Sequence, residues 1–134
     1  MVLSSFFFSS PIFLACLINF PIDGPALRAT ALMTYAEWLI ANCNTSFVIS
    51  NMWPVIKLDL DYTMNYWNQT GYDLWEEVDS SSFFTTAVQH RALRTGAVFA
   101  AKIGQTSVVS GYLTQADNVL CFLQVRGLHE CFKR

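Results

Sequence analysis

Charge is what this sequence has least of. Asp, Glu, Lys and Arg make up 13% of its 134 residues, against roughly 25% in an ordinary soluble domain. With a net charge of -2, no basic footprint exists for nucleic acid or for an anionic membrane surface. Metal-binding patterns are missing too. Cys16, Cys43, Cys121 and Cys131 form no C-x-x-C, and His90 and His129 stand far apart. No metal site and no cofactor are expected. Strand-like alternation, internal repeats and low-complexity segments are absent as well. Residues 1–22 carry no charge at all, yet Ser9, Ser10, Pro11 and Pro21 break the apolar run, so no stable membrane span is expected. As a secretory signal the segment lacks a basic start and a small-x-small cleavage site.

Apolar residues are plentiful, at 53%. A small sphere cannot hide that much apolar surface, so part of it is expected to pack against something outside this chain. The pattern is helical. Asp23-Gly24-Pro25 offers an N-cap carboxylate and an early proline, after which Leu27, Ala31, Tyr35, Trp38 and Leu39 recur at helical spacing as far as Asn42. A second helix is predicted from Trp53-Pro54 to Trp67, with Ile56, Leu60, Met64 and Trp67 on its apolar face and Lys57, Asp61 and Asn65 opposite. A third, from about Phe84 to Ile103, stacks Val88, Ala92, Phe99 and Ile103, ends at Gly104, and offers Gly96, Ala97, Ala100 and Ala101 for close approach of a neighbour. Ala116, Val119, Leu120 and Leu123 mark a shorter fourth. The fold class is therefore all-α, with helices in hairpins.

Between the second and third helices runs TGYDLWEEVDSS, residues 70–81, with four carboxylates (Asp73, Glu76, Glu77, Asp79) in seven positions. No Lys or Arg lies between Lys57 and Arg91 to neutralise them. A solvated acidic loop has no reason to gather Trp67, Tyr72, Trp75, Phe83 and Phe84 around it. A calcium loop needs oxygen ligands at alternating positions, and D-x-x-E-E-x-D does not supply them. Helix capping by Asp79 or Ser81 leaves Asp73, Glu76 and Glu77 unexplained. Carboxylates interleaved with aromatics suit a sugar: rings stack on its apolar faces while carboxylates accept from its hydroxyls. Clustered negative charge and a neighbouring tryptophan raise a carboxyl pKa, as a glycosidase general acid requires. Either Glu76 or Glu77 fits that role.

These residues resemble a known family. Tyr66–Val78 (YWNQTGYDLWEEV), with DGPALRATA at 23–31 and SSFFTTAVQHRAL at 81–93, is similar to glycoside hydrolase family 15, the glucoamylases. The resemblance implies a secreted hydrolase, monomeric at full length, that releases glucose from the non-reducing ends of starch and maltooligosaccharides with inversion, on an (α/α)6 barrel. This chain would hold about four of its helices, an unclosed part of the barrel. It also implies that Glu76 is the general acid, that Glu77 binds the sugar on the leaving side, and that Trp75 and Tyr72 line subsites. Asp73 supports the acid or, in signature-based descriptions, accepts the proton. That last role conflicts with geometry. Helical residues at i, i+3 lie about 5–6 Å apart at Cβ, and inverting enzymes hold their carboxyls about 6.5–9.5 Å apart. The family base lies beyond the matching region, and the resemblance places the disulfide partner of Cys121 in a C-terminal part that this chain lacks.

The resemblance starts at Asp23 and stops at Gln124. Residues 1–22 and 125–134 read as flanking non-family segments around a catalytic-domain fragment at 23–124, as if an internal exon were translated with its surroundings. In this fragment Cys43 stands where a helix-ending glycine is usual. The isolated chain is expected to be inactive, the alternative being a non-catalytic glucan-binding or interaction module. Sequons at Asn44-Thr45-Ser46 and Asn68-Gln69-Thr70 mark Asn44 and Asn68 as glycosylation candidates.

Overall fold

In the computed structural model, residues 23–69, 71–72, 79–80 and 82–124 are described. Four long helices dominate them. Helix α1 is Gly24–Ala41. A single turn, α2 (Thr45–Phe47), passes through a π-helical stretch, Val48–Met52, into α3 (Trp53–Tyr66). Two-residue strands β1 (Gly71–Tyr72) and β2 (Asp79–Ser80) follow. Helix α4 is Phe83–Lys102; a 3-10 turn at Thr106–Val108 then leads into α5, Val109–Gln124, which begins earlier than its four apolar residues suggested. The all-α expectation holds, with one very short ladder added.

Local chemistry explains where these helices start and stop. Asp23 does not cap α1 as expected: its side chain makes no capping hydrogen bond, and its backbone is already helical at φ -80, ψ -27. Side-chain capping needs an extended N-cap backbone; here the main-chain oxygen of Asp23 simply accepts from Leu27 N–H at 2.9 Å. The π-helical stretch includes Ser50, the residue whose carbonyl the Pro54 ring would crowd and whose bond it cannot complete.

The ends of α1 and α4 share one device. After α1, Asn44 N–H reaches Leu39 O at 2.9 Å and Cys43 N–H reaches Ile40 O at 3.1 Å. After α4, Gln105 N–H reaches Ala100 O at 2.8 Å and Gly104 N–H reaches Ala101 O at 3.1 Å. Both are Schellman motifs, whose pivot residue must be left-handed. Gly104 meets that need at φ 81, and Cys43 meets it at φ 63, at a steric cost of roughly 1–2 kcal/mol.

Packing departs from the expected faces in α1. Its buried stripe is Ala26, Ala29, Met33, Ala36 and Leu39. Leu27, Ala31, Tyr35 and Trp38, which recur at helical spacing, lie on the exposed side. The helix is apolar on both faces, so periodicity cannot choose between them, and the alanines let α1 lie close to α3 and α4. Elsewhere the faces agree with the pattern. Ile56, Leu60 and Trp67 are buried at α3; Ala92, Phe99 and Ile103 are buried at the end and along the length of α4. Gly96, Ala97 and Ala100 are buried at the contact, whereas Ala101 faces out. At Gly96 a Cβ would stand 2.6 Å from Leu60 Cδ1, so α3 and α4 touch where only glycine fits. The most extensive packing joins α4 to α5 through Tyr112, Ala116 and Val119.

Candidate functional site

The acidic segment leaves α3 and enters α4 through the two-stranded ladder. Gly71 pairs with Ser80 and Tyr72 with Asp79, antiparallel. Opposed residues in such a ladder sit about 4.5–5.5 Å apart at Cα, so the two ends of the six-residue stretch 73–78 are held together. The ladder thus sets Tyr72 and Asp79, the residues that flank 73–78 in sequence, side by side between α3 and α4. Asp73, Trp75, Glu76 and Glu77 themselves, and the distance between Asp73 and any glutamate, lie outside the described residues. Tyr72 is placed by its backbone alone, and Asn68 is exposed just past the end of α3.

Each arm of the ladder is anchored. On the far side Ser82 is the N-cap of α4, one residue after the expected position, with extended backbone (φ -67, ψ 140) and its hydroxyl facing Thr85 N–H at 3.5 Å. Thr86 Oγ1 donates to Ser82 O at 2.8 Å. The backbone of Asp79 pairs with Tyr72 in the ladder; Ser81, the other capping candidate, lies outside the described residues. On the near side Trp67 is buried, its ring edge-on to Phe122 with centroids 6.0 Å apart. Its indole N–H donates to Gln115 Oε1 at 2.9 Å. One turn or more earlier, Tyr112 Oη donates to Asp61 Oδ1 at 2.8 Å, and Lys57 pairs with the same carboxylate. Burial first, then the bond to Asp61, push the Tyr112 phenol far above its ordinary pKa, so it remains a donor. Two side-chain bonds therefore tie the last turns of α3 to α5.

A third brace lies deeper. Asp59 is 2% exposed, and Arg28 grips it with a fork: Nε to Oδ2 at 2.7 Å and Nη2 to Oδ1 at 2.5 Å. The hydrogen bond to Asp59, then its charge, raise the Arg28 pKa. This pair joins the first turns of α1 to the middle of α3. It was missed in the sequence, although an aspartate one turn from Ile56 on an apolar stripe is itself a signal of a buried partner. Asp61 lies opposite the apolar face in the sequence pattern, and its bond from Tyr112 is not visible in spacing alone.

His90, on α4, has its Nε2 buried with no hydrogen-bond partner among the described residues. Burial lowers its pKa first, the Arg94 charge lowers it further, and Asp117 opposes both. Cys43 is a free, exposed thiol. Cys121 is disulfide-bonded in this chain, which departs from the expectation of a partner in the C-terminal part of the family that the chain lacks. Among the described residues no cluster of His, Cys, Asp and Glu is arranged to hold a metal ion, and no helix is long and apolar enough to cross a membrane. Aromatics stand at the end of α3 and the start of α4, with Tyr66, Phe83 and Phe84 exposed and Tyr62 half-buried. Tyr62 and Tyr66 lie 4.7 Å apart at the end of α3, and Phe83 and Phe84 open α4.

Known proteins share this arrangement. The profile of Glycosyl hydrolases family 15 matches residues 20–133. Glucoamylase-1 of Schizophyllum commune is 66% identical over 102 residues, covering 76% of this chain and 17% of that protein. Glucoamylase of Neurospora crassa is 50% identical over the same length, covering 76% and 16%. The solved glycoside hydrolase family 15 glucoamylase from Hypocrea jecorina superposes with a TM-score of 0.75 at 56% identity, over 79% of this chain and 18% of its own. The chain thus spans about a sixth of the length of the curated relatives it matches, and its helices correspond to part of their (α/α)6 barrel. It belongs to glycosyl hydrolases family 15.

Proposed function

We propose that this chain is a segment of a secreted glucoamylase catalytic domain, acting within the whole protein on starch and maltooligosaccharides to release glucose with inversion. The observation that carries the reading is the 66% identity to Glucoamylase-1 of Schizophyllum commune, supported by the carboxylate-aromatic motif in the sequence between the two paired strands. Glu76 protonates the glycosidic oxygen. Glu77 accepts from a sugar hydroxyl on the leaving side, Trp75 and Tyr72 form ring walls, and Asp73 adds negative charge that keeps the acid protonated. The catalytic-domain segment would occupy residues 23–124, inside the 20–133 that the family profile matches.

Inverting hydrolysis also needs a carboxylate base that activates water. That group belongs to another part of the whole enzyme, so residues 1–134 alone release no glucose. General acid or base catalysis contributes typically 10²–10⁴-fold per group. A full-length relative in which the matching segment is replaced by residues 23–124 should hydrolyse maltooligosaccharides. Glu76→Gln in that chimera should remove turnover, and Glu77→Gln should mainly raise KM. Glucose release by the isolated chain, or an active Glu76→Gln chimera, contradicts the assignment.

A second reading, a glucan-binding module without turnover, is favoured by one feature of α1. Tyr35 and Trp38 stack 5.9 Å apart at an interplanar angle of 11° while remaining 53% and 58% exposed, ring surface of the kind a sugar face packs on. Quenching of tryptophan fluorescence by maltoheptaose in the isolated chain, lost in Trp38→Ala, would distinguish it.

A further inference from the structure

We propose that Asn44 carries an N-linked oligosaccharide, and that this glycan covers the corner between α1 and α2 where Cys43 and Phe47 stand open. The proposal rests on the reading of the chain as part of a secreted protein. All three residues of the sequon Asn44-Thr45-Ser46 are exposed. The backbone of Asn44 is pinned from both sides, its N–H to Leu39 O at 2.9 Å and its carbonyl accepting from Val48 N–H at 3.2 Å. A pinned backbone with an exposed side chain presents the amide outward without local unfolding.

The side chain already has the geometry a glycan leaves intact. Asn44 Nδ2 donates to Asn42 O at 3.1 Å, and glycosylation replaces only one of the two amide hydrogens. The other N–H remains to make that bond. In the transfer, the amide nitrogen attacks the anomeric carbon of a polyprenyl-diphosphate-linked oligosaccharide. A C–N bond forms, the bond from that carbon to the phosphate oxygen breaks, and the polyprenyl diphosphate leaves with the electron pair. The displaced amide proton passes to a base of the transferase.

The surroundings give the modification a purpose. Cys43 is a free, exposed thiol on the adjacent residue, and Phe47, three residues on, is 49% exposed. In an oxidising compartment an exposed unpaired thiol invites intermolecular disulfides. A bulky hydrophilic chain at Asn44 obstructs that pairing and screens the ring.

The test is peptide mapping of the full chain expressed behind a cleavable secretion signal in a eukaryotic host, recovered from both medium and secretory membranes. Digestion with peptide-N-glycosidase should convert Asn44 to Asp in the recovered peptide. Asn44→Gln and Ser46→Ala should each remove one glycan from the intact mass, Asn68→Gln should leave the Asn44 glycan in place, and Ser46→Thr should retain it. On non-reducing gels Asn44→Gln should add a disulfide-linked dimer that Cys43→Ser abolishes. An unmodified Asn44 peptide, whether or not Asn68 is occupied, overturns the proposal. Failure of the enzymatic reading is separate, because it is read from glucose release by the Glu76 chimera and not from occupancy of Asn44.

Discussion

At the scale of single residues, the Arg28–Asp59 fork shows how unequal the two halves of an ion pair can be. Asp59 is 2% exposed and Arg28 61%, so the guanidinium keeps its water whether or not its partner is present. The carboxylate does not. Removing one member of a fully buried pair costs about 3–5 kcal/mol, and solvation of the arginine reduces that figure. Arg28→Met, made in the full-length chimera, should therefore cost ~2–3 kcal/mol, since it strands a buried charge. Adding Asp59→Leu removes the stranded charge and should restore a large part of the loss, measured as the urea midpoint at constant slope. A double variant less stable than Arg28→Met alone would show that Asp59 is held by something other than charge pairing. The pair was only half legible in the sequence. Asp59 could be seen as a polar intrusion on an apolar stripe, but its partner is 31 residues away, beyond the reach of any local spacing. Cys43 was legible as a glycine substitute only through the resemblance, which has a helix-ending glycine there; its left-handed φ of 63 agrees with that reading.

At the scale of elements, the approach of α3 to α4 turns on Gly96, where a Cβ would meet Leu60 Cδ1 at 2.6 Å and Cδ2 at 2.9 Å. Two effects compete in Gly96→Ala. Alanine gains up to about 1 kcal/mol in helix propensity, whereas overpacking a close-packed core costs about 1–3 kcal/mol. Leu60 is fully buried and has nowhere to swing, so the clash should win and the variant should lose on the order of 1 kcal/mol. Combined with Leu60→Ala, the added methyl partly fills the space that opens, and the double variant should be more stable than the sum of the two single losses. Additive losses in that cycle would mean that the helices shift apart instead of clashing. The small residues of α4 signalled this contact because glycine and alanine cluster on one side of an otherwise apolar helix. The same logic failed in α1, where alanines form the buried stripe and large residues the exposed one. Periodicity finds an apolar face; it cannot say which of two apolar faces meets the core.

For the whole molecule, the acidic, aromatic-rich motif was legible in the sequence, while the contacts that support the segment carrying it were not. Strands of two residues have no period, so the ladder joining Tyr72 to Asp79 left no pattern to find. The bonds tying α3 to α5, Tyr112 to Asp61 and Trp67 to Gln115, join residues 51 and 48 positions apart. The apolar excess was legible, and the structure shows where it goes. Leu27, Tyr35 and Trp38 on α1, Val55 and Leu58 on α3, and Phe83 and Val98 on α4 all remain substantially exposed, Leu58 at 66%. Exposure of that many large apolar side chains is uncommon in a monomer that functions alone. It matches a segment covering 17% of its relative whose outward faces are shaped for helices elsewhere in a barrel. If so, the isolated chain and the same residues inside a full-length relative should differ in a directly measurable way. Residues 1–134 should bind a hydrophobic dye strongly and self-associate as concentration rises, with no sharp thermal transition. The chimera, in which these faces are covered, should bind little dye and melt cooperatively. Leu58→Lys sharpens the comparison: in the isolated chain it should lower dye binding and self-association, since it only breaks an exposed patch, whereas in the chimera it should destabilise by placing a charge at a packed interface. A monomeric isolated chain with a sharp melt, or a chimera indifferent to Leu58→Lys, would mean that these faces were never built to be covered.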